Sequence, residues 1–276
     1  MWLFCYSAKS KNQTLFTNFG SFDQLVRSIR VYRYNYPPSI AEVRLKLEQN
    51  KTYPNLQPDK NDVSREIPVP STISEIKQHT FGIIGYLKYG LQKKNEFSSD
   101  ERFDITSQEY NFLISPQNGI LILHGSPEYR IPVIELLSKI IHGEDSDMLT
   151  AINIEKTKLK SLTEKIIRMN SENNLEEGKF RYSDRPYKSL KKVSFATIAG
   201  FCATTHPYFL PHYEKCSEWS CVLRVYKCYG IMDEKSETSQ RLVIGRDASF
   251  SLTIDADLTQ WNRFIIETCK TALDIH

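Results

Sequence analysis

The densest chemistry lies in Gly178-Lys-Phe-Arg-Tyr-Ser-Asp-Arg-Pro-Tyr-Lys-Ser-Leu-Lys-Lys192. There six basic residues (Lys179, Arg181, Arg185, Lys188, Lys191, Lys192) face one acid and interleave with Phe180, Tyr182 and Tyr187. Cations neutralise phosphates and release their counterions, and aromatic faces stack unpaired bases, so the mixture points to nucleic-acid binding. On a strand, however, Lys179 and Arg181 alternate with Phe180 and Tyr182, which sends cations to one face and rings to the other. Stacking then needs a bulge, or rings from elsewhere. The competing reading is an edge strand guarded by charge above an ordinary aromatic core.

A second patch, Arg27-Ser-Ile-Arg-Val-Tyr-Arg-Tyr-Asn-Tyr36, again mixes arginine with tyrosine and is extended by Arg44 and Lys46. The planar guanidinium fork of Arg27, Arg30 and Arg33 suits phosphates and stacked bases better than an ammonium does. Cations at a helix end are also expected from the helix dipole alone. Charge is unevenly spread along the chain. The net charge of +3 divides into +5 for residues 1–60, −2 for 61–110, −3 for 111–150, +5 for 151–192 and −2 for 193–276. Lys156 and Lys160, with Lys158, Lys165 and Arg168, lie on the wet side of an amphipathic stretch in the second basic block. Two such blocks can steer a polyanion if they meet in space.

Other constellations are weaker. Cys202, His206, His212 and Cys216, with Cys221 and Cys228 downstream, supply tetrahedral zinc ligand types, but the spacing lacks a paired-cysteine knuckle. Buried thiols and loop histidines explain the same residues. His124-Gly-Ser-Pro-Glu128 sits where a dry strand hands over to a helix, a place where backbone N–H groups receive anions. Ser126 as cap, Pro127 at the first helical position and Glu128 on the dipole account for it equally well. Asp255 with Asp257, and Asp100, Glu101 and Asp104, fit helix capping or a solvated linker better than metal-dependent phosphodiester chemistry. No Walker loop, dinucleotide glycine fingerprint, His-Glu-x-x-His or deaminase signature occurs.

The elements that must position these groups read as follows. Residues 2–6 and 13–19 suggest a hairpin, and Phe22–Arg30 has helical spacing. Val43–Glu48 alternates like a strand, 50–62 is turn-rich, a short strand lies near Val63–Val69, and Thr72 with Glu75 forms a capping box for a helix over 73–94. The polar run Lys93–Arg102 is the candidate boundary between an N-terminal α+β domain, 1–105, and a C-terminal one, 106–276, with a single continuous domain as the alternative. Tyr110–Ile114 and Ile120–His124 form a hairpin with Asn118-Gly119 at its turn. Helices follow at 127–142 and 155–169, the second after a short strand at Leu149–Ile154. Strands come near 178–182, 193–199, 221–229, 241–245 and 249–254, and a last helix opens after Asp255 or Asp257.

The fold class is therefore α+β: a mainly antiparallel sheet of hairpin-plus-helix units, with amphipathic helices covering one face. The order ββα–β–α recurs loosely in both halves, without residue-level self-similarity. With 276 residues, 40% of them hydrophobic, the chain can bury a sizeable core. Six cysteines are too sparse for a disulfide scaffold, no apolar run is long enough to span a bilayer, and Met1–Tyr6 lacks the basic start and apolar length of a signal peptide, so none is expected. An intracellular protein with reduced thiols is expected. The expected function is a non-catalytic module associated with DNA or RNA, the single-stranded form included, without a cofactor. A scaffold or adaptor subunit of a larger assembly is the second reading, and a zinc-dependent hydrolase or nuclease a distant third.

Overall fold

The computed structural model describes residues 27–95, 102–143, 148–168, 174–181, 193–196, 209–216, 218–225, 240–252 and 258–273. They build one antiparallel sheet of 12 strands with helices on both sides. In chain order the first half is β1 (Arg27–Tyr34), α1 (Ile40–Gln49), β2 (Thr52–Pro58), β3 (Glu66–His79), β4 (Gly82–Lys94), β5 (Phe103–Ser115), β6 (Ile120–Gly125) and α2 (Arg130–His142). The second is β7 (Leu149–Ala151), α3 (Lys156–Arg168), β8 (Asn174–Arg181), β9 (Val193–Ala196), α4 (Phe209–Lys215), β10 (Glu218–Val225), β11 (Gln240–Ile244), β12 (Ser249–Leu252) and α5 (Leu258–Leu273). The sheet runs β2-β3-β4-β5-β6-β1-β12-β11-β10-β8-β9, with β7 also paired to β1. The α+β class and antiparallel sheet agree with the sequence. Among the described residues, no helix is long and apolar enough to cross a membrane.

Strand β1 is the seam between the halves, and its alternation divides the interior. Ile29 and Val31 join a core with α3 and α5 that includes Leu159, Leu162, Trp219, Phe250 and Phe264. Tyr32 and Tyr34 join a core with α1 and α2 that includes Val43, Leu47, Leu87, Phe112 and Leu137. Strand β6 splits the same way, Ile120 and Ile122 against Leu121 and Leu123, so it is dry on both sides. The helices therefore do not share one face, contrary to the expectation from sequence. Each half carries its own pair, and the pairs lie on opposite sides of the sheet.

Four local expectations are corrected. Residues 27–30, the end of the helix expected over Phe22–Arg30, belong to β1, which pairs with β6 and β12. Val43–Glu48 lies in helix α1: Ser39 Oγ accepts from the Glu42 N–H, and Val43 and Leu47 turn inward one helical turn apart while Leu45 stays exposed. The spacing of Val43 and Leu47 satisfies a period of 2 and an i,i+4 stripe alike, so alternation misleads here. Within the expected loop 50–62, Thr52–Pro58 forms β2, an edge strand that tolerates Pro54 and Pro58 because its outer side needs no donors.

The expected helix over 73–94 is instead the hairpin β3–β4, turning after His79 with Gly82 at φ +146. No capping box forms; Glu75 lies at an irregularity in β3 with φ 54. Gly90 faces the Pro70 carbonyl so closely that a Cβ would collide with it, a contact made between neighbouring strands. The run Lys93–Arg102 joins β4 to β5, which pair from Ile83↔Ile114 to Lys94↔Phe103, so one sheet runs across it. The hairpin expected at 110–124 is present, with Gly119 at φ 61 closing its turn.

Candidate functional site

Strand alternation decides where the first basic patch goes. Arg33 shares the parity of Ile29 and Val31, whereas Arg30 shares that of Tyr32 and Tyr34, so the two leave opposite faces of β1. Arg27 also lies on β1, opposite Leu252. Of the extension, Arg44 pairs with Glu48 one helical turn on, at 2.9 Å. The site therefore has to be sought around Arg33 and around Arg30 separately.

Around Arg33 the chain builds a cleft. In register, Arg33 stands opposite Thr150 of β7, and the chain then runs through Ile152–Glu155 into α3. Ile152 and Ile154 are buried, and the Ile154 N–H donates to the Arg246 carbonyl at 2.6 Å, which fastens the segment. Asn153 and Glu155 alternate outward with them. Arg33, Thr150, Ala151, Ile152, Asn153, Glu155 and Lys158 line a cleft of about 230 Å³. That is smaller than the roughly 300–1,000 Å³ of sites that enclose drug-sized ligands, and suits a phosphate or the edge of a longer ligand lying across it. Its chemistry is mixed, two cations and an amide against the Glu155 carboxylate. In the sequence Lys158 is one of several lysines on a wet helix face; nothing there joins it to Arg33.

The other lysines of α3 serve a different end. Lys156 Nζ donates to the carbonyls of Tyr213 (2.9 Å) and Cys216 (3.0 Å), at the C-terminal end of α4. It also lies over the Tyr213 ring, 4.9 Å from the centroid. Lys160 Nζ sits 5.1 Å from that centroid and 3.9 Å from Glu164 Oε1. The Trp219 indole N–H donates to the Lys156 carbonyl at 3.2 Å, and its ring meets Tyr213 edge to face. Both lysines tie α3 to α4 and β10. Lys179 and Arg181 lie on β8, register partners of Ser220 and Glu218. Tyr182, Arg185, Tyr187, Lys188, Lys191 and Lys192 lie outside the described residues.

Of the zinc candidates, Cys202 and His206 lie outside the described residues, and His212 falls within α4. Cys216 is buried, and its Sγ donates to the Tyr213 carbonyl at 3.3 Å. Burial raises its thiol pKa against the lowering influence of Lys156. Cys221 is buried beside Thr163 Oγ1 at 3.4 Å, and burial pushes its thiol up to about 12. A metal wants thiolates, which these environments disfavour. Among the described residues, no group of three or more His, Cys, Asp and Glu is placed to hold a metal.

His124, at the end of β6, is buried with Nε2 3.0 Å from Asn262 Oδ1 of α5. The helix expected at 127 begins at Arg130; Ser126 Oγ accepts from the Glu128 N–H at 3.3 Å in the preceding turn, and the cap position, Tyr129, makes no side-chain cap. Arg130, which belongs to no motif in the sequence, is buried against β1. A cation at the positive end of an apolar helix is the one signal that could have found it. No protein-family model matches the chain, and a search of curated proteins finds no matching sequence.

Proposed function

We propose that this chain is a non-catalytic module that binds a nucleic acid, single strands included, along the edge formed by β1, β7 and α3. One observation carries the reading: Arg33 of the first basic block and Lys158 of the second line the same cleft. Two cations delivered from remote parts of the chain to one open cleft suit successive phosphates, and Asn153 and Thr150 add polar groups that favour sugar or phosphate oxygens. Arg168 and Lys165 continue the exposed cationic side of α3 away from the cleft. Titration of a fluorescent oligonucleotide in dilute buffer tests this. Binding should fall steeply with salt, and Arg33→Glu with Lys158→Glu should weaken it about tenfold or more. A folded sample that binds neither DNA nor RNA would sink the proposal.

The adaptor reading has its own support in the side of β2–β5 turned away from α1 and α2. Leu56 and Ile105 are 62% and 56% exposed there, on the same side as the Lys88–Glu109 pair. An open sheet face with apolar side chains among polar ones is compatible with a protein partner. Association that ignores salt and both charge reversals would favour it.

A further inference from the structure

On the opposite side of β1 from the cleft lies a second cationic group, built differently. Ser28, Arg30 and Tyr32 alternate onto the face covered by α2. Arg130 opens α2, is only 5% exposed, and donates from Nη2 to Ser28 Oγ and to the Gly125 carbonyl. Both acceptors are neutral. Among the described residues, the carboxylate whose charge reaches Arg130 is Asp247, and Asp247 is already engaged. It lies 3.4 Å from Arg30 Nη1 and accepts from Ser249 Oγ. Arg30 also covers the Tyr32 ring at 5.6 Å, and the Nε atoms of both arginines are buried without a hydrogen-bond partner.

Two guanidiniums thus share one carboxylate in a largely dry place, where an uncompensated charge is costly. Burial lowers the Arg130 pKa and the nearby Arg30 lowers it further, against the raising influence of Tyr32, Tyr110 and Asp247. Helix α2 adds the positive end of its dipole with no side-chain cap and no acid in its first turn. The two guanidiniums and the helix dipole draw an anion in, and Asp247 is the carboxylate that opposes them. The side chains of Arg30 and Asp247, 27% and 44% exposed, leave the group open to solvent on their side.

We infer that Arg30, Arg130 and Ser28 form a binding site for a dianionic phosphate monoester, entered from the Arg30–Asp247 side. A single guanidinium fork saturates a planar carboxylate, whereas forks arriving from a strand and from a helix, with a hydroxyl between them, match a tetrahedral dianion. The phosphodiesters of a nucleic-acid backbone carry one charge and use the other face of β1, so this site stands apart from the proposed nucleic-acid edge. Asp247 competes with the ligand for Arg30.

The test is titration of the full chain with inorganic phosphate at constant ionic strength, read by phosphorus NMR line broadening and calorimetry. Dimethyl phosphate serves as the diester probe. Saturable phosphate binding is expected, weakened about tenfold by Arg30→Gln at a partly exposed position that leaves the fold intact. Arg130→Lys, which keeps the charge and loses the fork, should weaken it less, and Asp247→Asn should tighten it. Absence of saturable binding, indifference to Arg30→Gln, weakening by Asp247→Asn, or equal affinity for dimethyl phosphate would each overturn the assignment.

Discussion

The junction of α3 with α4 and the cleft beside it draw on the same basic helix and use it in opposite ways. At the junction, Lys156 donates to two backbone carbonyls and Lys160 lies over the ring of Tyr213. In the cleft, Lys158 joins Arg33, Asn153 and Thr150, with the Glu155 carboxylate among them, along an open surface. Two residues separate the roles. Carbonyls left over at a helix end, together with an aromatic ring, occupy an ammonium without any carboxylate. Lysine density in a sequence therefore overstates the charge that a ligand can reach.

Removing the junction's anchor should produce the largest effect. Trp219 is fully buried, and its indole N–H holds the Lys156 carbonyl. Trp219→Ala should cost about 3–5 kcal/mol of unfolding free energy in a denaturant titration, for the lost burial and the cavity left behind. Lys156→Met keeps much of the aliphatic stem but strands the carbonyls of Tyr213 and Cys216, for an expected loss of about 1–3 kcal/mol. If Lys156→Met changed stability no more than an exposed substitution does, the distinction between junction and cleft would collapse.

Thiols extend the contrast into pH. Cys216 and Cys221 are buried at or beside the junction, and both thiol pKa values are raised by burial, that of Cys221 to about 12. A raised folded pKa means that the unfolded thiol, with its ordinary value near about 8.5, ionises first as pH rises. Their contribution is whole below about pH 8.5 and is lost progressively towards the raised folded values. Denaturant midpoints should therefore fall from neutral pH to about pH 10.5, and Cys221→Ala should flatten that slope. A slope unchanged in the variant would show that the buried thiols are not its source.

How much of this is legible in the sequence depends on how many elements have to agree. The hairpin Tyr110–His124 and the helices over 130–142, 156–168 and 258–273 are readable because turn chemistry or an apolar stripe specifies each one locally. Ile73–Lys94 is not: its apolar residues and glycines fit a helix until Gly85 is seen beneath the Phe112 ring and Gly90 against Pro70, arrangements set by neighbouring strands. The cleft is half legible. Two basic blocks are visible, but that Arg33 faces one side and Arg30 the other follows from β1 being a strand, where the spacing as far as Arg30 suggests a helix. Arg130 is hidden inside a block of net negative charge, and only its burial against Ser28 gives it meaning.

The smallest stability effect expected is at the cleft itself, and it is the sharpest test of the comparison. Arg33 is exposed on β1 and Lys158 is half-buried at its rim. Neutralising both, with Arg33→Gln and Lys158→Gln, should shift the unfolding free energy by no more than about 0.5 kcal/mol each, the usual range for surface positions. If their charges are held for a ligand, that near-neutral pair should still lower oligonucleotide affinity. The slope of log affinity against log salt should also become shallower, by close to one for each phosphate that is no longer neutralised. The outcome that reverses the argument is a large loss of stability with the salt slope intact. Arg33 and Lys158 would then be structural cations like Lys156, and the cleft would be a second junction.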